Sequence, residues 1–130
     1  MLDLIEMRNQ DFLNCCRRVA DSSPKPIKTA DIALKAAQCK PRGYYLTCDY
    51  AVKRLRMRRA SHRRQPDTGS GRRWAELDSR VAARQQRRGL SLSRAVADEL
   101  RESAPTSFHM SPTYAVRLYQ RLRQDGSNCL

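Results

Sequence analysis

The chain has 130 residues and carries 26 Lys+Arg against 13 Asp+Glu, a formal charge of +13 at pH 7. That length suits one domain, 1–130, with a modest core. No run approaches the roughly 20 apolar residues of a membrane span, and an N-terminus holding Asp3, Glu6 and Arg8 does not read as a signal peptide.

The first apolar stripe, Ile5, Phe12, Cys16 and Val19 with Leu13 beside it, predicts a helix over 3–20. Cys15 and Cys16 are adjacent, so at most one is expected to face the buried side. The run Asp21-Ser22-Ser23-Pro24-Lys25-Pro26 ends this helix. Thr29 is placed to cap a second helix over 30–39 with Ile32, Ala33, Ala36 and Ala37 on its inner face, broken by Pro41-Arg42-Gly43. Tyr44-Tyr45-Leu46 is extended in character. Thr47 then caps a third helix running through Tyr50, Ala51 and Leu55 into a cluster of arginines. The stretch 60–71, with two glycines and two serines but no apolar face, reads as a linker. A fourth helix over 73–88 carries Trp74, Leu77, Val81 and Gln85, with Gly89 as its stop. A fifth runs from Leu92 to Ser103 and ends before Pro105. Thr106 to Met110 is again extended, and Ser111-Pro112 starts a sixth helix through Ala115, Leu118, Tyr119 and Leu122. The tail Asp125 to Leu130 reads as frayed.

The same unit occurs twice, 64 residues apart, without a gap. Ile32-Ala33 aligns with Val96-Ala97, Pro41 with Pro105, Tyr44 with Phe108, Leu46 with Met110 and Thr47 with Ser111. Tyr50-Ala51-Val52-Lys53 then aligns with Tyr114-Ala115-Val116-Arg117. The matching positions are those that shape backbone or fill a core, as two copies of one packing unit require. The expected fold is therefore mainly α. Two pseudo-symmetric helix-helix-(short strand)-helix repeats, about 29–60 and about 93–124, share one core across a linker of about 60–72. The two extended pieces are expected to pair as a minimal two-stranded antiparallel ribbon. Tyr44 and Phe108 are expected in the core, and Tyr50 and Tyr114 are read as packing residues too. Trp74 is read as an anchor docking the linker back on the core.

A charge excess of this size repels itself, and a polyanionic partner is its economical explanation. The cations concentrate in Lys53, Arg54, Arg56, Arg58 and Arg59, continue through His62-Arg63-Arg64 and resume at Arg72 and Arg73. Like charges three or four apart on a helix repel unless an anion neutralises them, and phosphate backbones do so with counterion release. Arg117, Arg121 and Arg123 are the counterparts in the second copy. A further stripe is expected from Arg80, Arg84, Arg87 and Arg88. The span 93–123 resembles a helix-turn-helix in outline. Its break, Ala104 to Ser111, exceeds that motif's turn of about three or four residues, so no base-reading positions follow.

Nothing points to catalysis, a metal or a cofactor. Cys39, Cys48, His62 and His109 lack paired zinc-ligand spacing, and Asp98, Glu99 and Glu102 read as exposed. An odd number of cysteines (Cys15, Cys16, Cys39, Cys48, Cys129) without framework spacing reads as reduced thiols in a cytoplasm. The expectation is a non-enzymatic, cytoplasmic, nucleic-acid-binding protein, DNA favoured over RNA, with a regulatory or architectural role. The alternative is an accessory or assembly protein that meets RNA or an acidic protein partner within a larger complex.

Overall fold

The structure, a computed structural model, describes residues 3–61 and 69–128. Six helices follow one another: α1 Leu4–Ser22, α2 Thr29–Ala37, α3 Cys48–Ala60, α4 Gly69–Arg88, α5 Leu92–Glu102 and α6 Pro112–Asn128. The protein is mainly helical, with no strand among the described residues. None of these helices is long and apolar enough to cross a membrane.

The helix starts follow from short polar caps. Asp3, Thr47, Ser91 and Ser111 each accept a hydrogen bond from a first-turn backbone N–H, those of Ile5, Tyr50, Arg94 and Tyr114, leaving fewer orphan donors at each start. Thr29 is not a cap. It is the first residue of α2, after an N-cap Lys28 that makes no capping bond, and its hydroxyl instead accepts from Arg123 at 3.1 Å. Gly89 stops α4 with φ +63, the left-handed backbone that glycine adopts without a steric penalty. Two helices are longer than their sequence pattern implied. α4 begins at Gly69, inside the expected linker, and α6 continues to Asn128 through the tail expected to fray. The rest of that linker, 62–68, with His62, Arg63 and Arg64, lies outside the described residues, as does Cys129.

The chain divides into two compact units, one formed by Met1–Pro41 with Thr106–Leu130 and the other by Arg42–Pro105. The first therefore holds α1, α2 and α6. Its core is Phe12, Cys15, Cys16, Ile32, Ala33, Ala36 and Ala37 packed with Phe108, Ala115, Leu118 and Tyr119. Phe12 meets Phe108 edge-on at 5.5 Å, and the Phe108 N–H donates to the Ala37 carbonyl at the end of α2. Both Cys15 and Cys16 are fully buried, because α2 and α6 cover a wider arc of α1 than a single stripe. Burial pushes the Cys16 thiol up to about 12. Ile5, expected in the stripe, is 61% exposed.

The second unit holds α3, α4 and α5 around Tyr44, Ala51, Val52, Leu55, Trp74, Leu77, Val81, Ala95 and Val96. The buried residues thus form two clusters, in place of the one core expected of the repeats. The expected ribbon does not form either. Tyr45 and His109, in the middle of the two segments, have φ of 55 and 53. A left-handed residue turns the chain out of a ladder's plane.

Acidic side chains expected on exposed faces of α5 are buried instead, Asp98 at 5% and Glu99 at 3% exposure. Glu99 accepts from the Tyr44 hydroxyl at 2.5 Å and from Arg84 Nε at 2.9 Å, while Arg80 lies 3.5 Å away. Arg80 Nη1 also donates to the Tyr44 oxygen at 2.7 Å and to the Ala104 carbonyl at 2.6 Å. Arg84 reaches on to Glu102 at 2.7 Å, and this bond holds the Glu102 carboxyl below the usual carboxylate range. Burial, then the bond to Glu99, pushes the Tyr44 phenol well above its ordinary value. A buried carboxylate is tolerable only with its lone pairs occupied, and here α4 and the segment before α3 supply the donors.

Two outcomes follow. Glu99→Gln leaves the Arg84 guanidinium, only 10% exposed, with Glu102 as its one remaining carboxylate and is expected to destabilise the second unit by about 3 kcal/mol. Urea unfolding followed by Trp74 emission checks this, Trp74 being the sole tryptophan and a core residue of that unit. In addition, fragments 1–61 and 69–130 each lack a helix of both cores. Each alone should show little helical circular dichroism, with the signal recovered on mixing.

Candidate nucleic-acid interface

The unit built from α3, α4 and α5 spans sixteen of the basic residues and seven of the acidic ones, an excess of nine. The other unit, with ten and six, has an excess of four. The structure then sorts the arginines by what they touch. Arg80 and Arg84, expected on an open basic stripe, are held in the Glu99 network. Arg87 and Arg88 remain exposed on the last turn of α4, where cations suit the negative end of the helix dipole.

On α3 the residues Ala51, Val52 and Leu55 face the core, which leaves Lys53 and Arg56 exposed. Neither makes an ion pair with a described residue. A cavity of about 390 Å³ lies along this side between Cys48, Asp49, Val52, Lys53, Arg56 and Met57 of α3 and Ser93 of α5, so one carboxylate lines it together with the two cations. Arg58 and Arg59 are brought onto Asp78 of α4 at 3.3 and 2.8 Å, and Arg59 also donates to Gln85 at 2.9 Å. One carboxylate therefore offsets part of two candidate charges. These pairs are partly exposed, and such bridges contribute about 1 kcal/mol or less.

Arg54 and Arg73 take a different arrangement. Their guanidinium carbons lie 5.2 and 5.1 Å from the centroid of the Trp74 ring, within cation–π range. Tyr50, expected to be a packing residue, is 47% exposed and meets Trp74 edge-on at 5.9 Å. Arg54 makes no ion pair with a described residue. Arg72 lies exposed one residue before Arg73 in the first turns of α4.

The other unit presents its own basic residues on α6. Arg117 and Arg121 are exposed and form no ion pair with described residues. Arg123 stacks on Tyr119 at 5.4 Å and donates to Thr29. Tyr114, 40% exposed, accepts a hydrogen bond from Arg8 at 2.6 Å and lies beneath its guanidinium at 5.6 Å. Sequence reasoning missed Arg8, Tyr50 and Tyr114 as outward groups. The signal was available, since Tyr50 and Tyr114 lie just before buried Ala51 and Ala115 and so fall off the inward stripe.

Comparison of the chain with known protein families, with curated proteins and with solved structures finds no match.

Asp78→Asn removes the one carboxylate shared by Arg58 and Arg59. The variant is expected to elute from a heparin column at higher salt than the parent, with an unchanged helical spectrum. Earlier or equal elution would show that these two arginines do not take part in polyanion contact.

Proposed function

We propose that this protein binds nucleic acid, DNA in preference to RNA, by contacting the phosphate backbone through arginine-rich helical faces. Its role is regulatory or architectural, not enzymatic. The observation that carries the reading is the outward side of α3. Exposed Lys53 and Arg56 and half-buried Arg54 have no carboxylate partner among the described residues, whereas Arg58, Arg59 and Arg84 of the same unit are held by Asp78, Glu99 and Glu102. Cations left uncompensated side by side repel and destabilise the helix that bears them, unless an external polyanion is their counterpart. Phosphate contact of this kind supplies affinity and orientation, with no selection among bases.

The internal duplication belongs to the same reading. Features recur 64 residues apart: caps at Thr47 and Ser111, left-handed backbone at Tyr45 and His109, and buried Tyr44 and Phe108. Fully buried Ala51 and Ala115 recur in the same way, and the two units change over after Pro41 and Pro105. We read these as two copies of one helix-helix-helix element that exchange their third helices, so that each core takes two helices from one copy and one from the other. Under that reading α3 and α6 are equivalent elements, and Arg117 and Arg121 correspond to Lys53 and Met57 in place.

A gel-shift series at rising ionic strength tests the function. Log affinity for duplex DNA should fall with log salt at a slope of about −4.5, for roughly five phosphates neutralised. Replacing Lys53, Arg54 and Arg56 together by glutamine should flatten the slope by about two to three. Tight binding to an acidic protein, with no shift of DNA or RNA, would sink the reading.

A further inference from the structure

Trp74 is 5% exposed, yet Arg54 and Arg73 lie within cation–π distance of it. A cavity of about 250 Å³ opens beside it, lined by Arg54, Met57, Arg58, Ser61 and Trp74. Among the described residues no carboxylate lines this cleft. We propose that it seats a single phosphate of the nucleic-acid backbone, with Arg54 and Arg58 as the binding residues and Trp74 as a positioning residue. This rests on the function proposed above and names where on the surface one phosphate is held.

The chemistry of the walls selects that ligand. A guanidinium stacked on an indole keeps its charge and its in-plane N–H donors, because the ring occupies only its flat face. Arg54 is thus held in orientation without being neutralised, unlike an arginine paired with a carboxylate. Asp78 takes Arg58 through Nε at 3.3 Å, which leaves its two terminal amino groups outside that bond, and Arg58 lines the cleft. Two such forks matching the oxygens of one phosphate form the charge-assisted, bidentate contacts that guanidinium favours. A stacked base is the poorer fit. The Trp74 ring is almost wholly covered, and the cavity is smaller than the roughly 300–1,000 Å³ of sites that enclose small molecules. Its position beside the last turn of α3 works against an anion, since a helix C-terminus carries about half a negative charge. The full charge of Arg54 outweighs that half charge, and Arg58 adds what Asp78 leaves of its own.

The sole tryptophan makes the site its own reporter. Trp74 emission would be followed while a thymidine oligonucleotide, a duplex, or pyrophosphate is added to the full-length protein, with gel shifts run in parallel. The expected result is a saturable change with the nucleic acids. Arg54→Gln and Arg58→Gln should each bind about tenfold more weakly, while the charge-matched Lys25→Gln, at an exposed position of the other unit, binds like the parent. Circular dichroism of each variant must match the parent, and having two cleft variants guards against one misfolding. If gel shifts persist while Trp74 emission stays flat and both cleft variants bind like Lys25→Gln, the seat is wrong and the broader function stands. A response to pyrophosphate equal to that of the oligonucleotide at the same phosphate concentration would make this a small-anion site, overturning the backbone assignment. No binding of any nucleic acid would remove both.

Discussion

The unit formed by α3, α4 and α5 has an excess of nine basic residues and is nonetheless organised around a buried carboxylate. Glu99 joins three stretches of chain that are far apart in sequence. Tyr44 comes from the segment before α3, Arg80 and Arg84 come from α4, and Arg80 returns to the carbonyl of Ala104 after α5. A carboxylate so far from water must have its lone pairs filled, and the guanidiniums filling them are held in one geometry by the same bonds. Removing a partner leaves a charge without solvent or counter-ion, so the network tolerates little rearrangement. The positions of α3 against α5 and of Trp74 on α4 depend on it.

That constraint also decides what the cationic surface is. Arginines that look equivalent along the chain have different roles once folded. Arg80 and Arg84 belong to the core's electrostatics, Arg58 and Arg59 lean on Asp78, and Arg54 rests on Trp74. What remains facing outward in this unit includes Lys53 and Arg56 of α3 and the two ends of α4, at Arg72 and at Arg87 and Arg88. A charge count over-reads the surface, because it assigns to solvent every cation that an acid elsewhere has already met. Ion pairing within the unit and stacking on aromatics leave different products: the first cancels charge, the second aims it.

Much of the helical plan was legible in the residues. Periodic apolar positions and polar caps such as Thr47 and Ser111 placed the helices to within a few residues, and Gly89 marked a true stop. These are local effects, set within one turn by side-chain hydrogen bonds and φ preferences. The misses are non-local. Asp98 and Glu99 looked exposed because their pattern on α5 is polar, and only the arginines of α4 and the neighbours on α5 make their burial tolerable. Cys15 and Cys16 are both buried because two helices, not one, pack on α1. Tyr45 and His109 carry left-handed backbone at non-glycine positions, which no composition rule anticipates.

By itself the chain determined six amphipathic helices, their starts and stops, a large positive surplus, and a pattern repeating at 64 residues. Each depends on contacts or preferences within a few residues, or on composition alone. Only the tertiary structure decided which helices make a core together, α1 and α2 with α6, and α4 and α5 with α3. It also decided which guanidiniums are spoken for and which face outward. The physical reason is that an apolar stripe or a charge states what must be covered or neutralised without naming the partner. Several helices of similar size and pattern could satisfy the same stripe, and the choice among them is made by simultaneous packing and by the geometry of buried ion pairs.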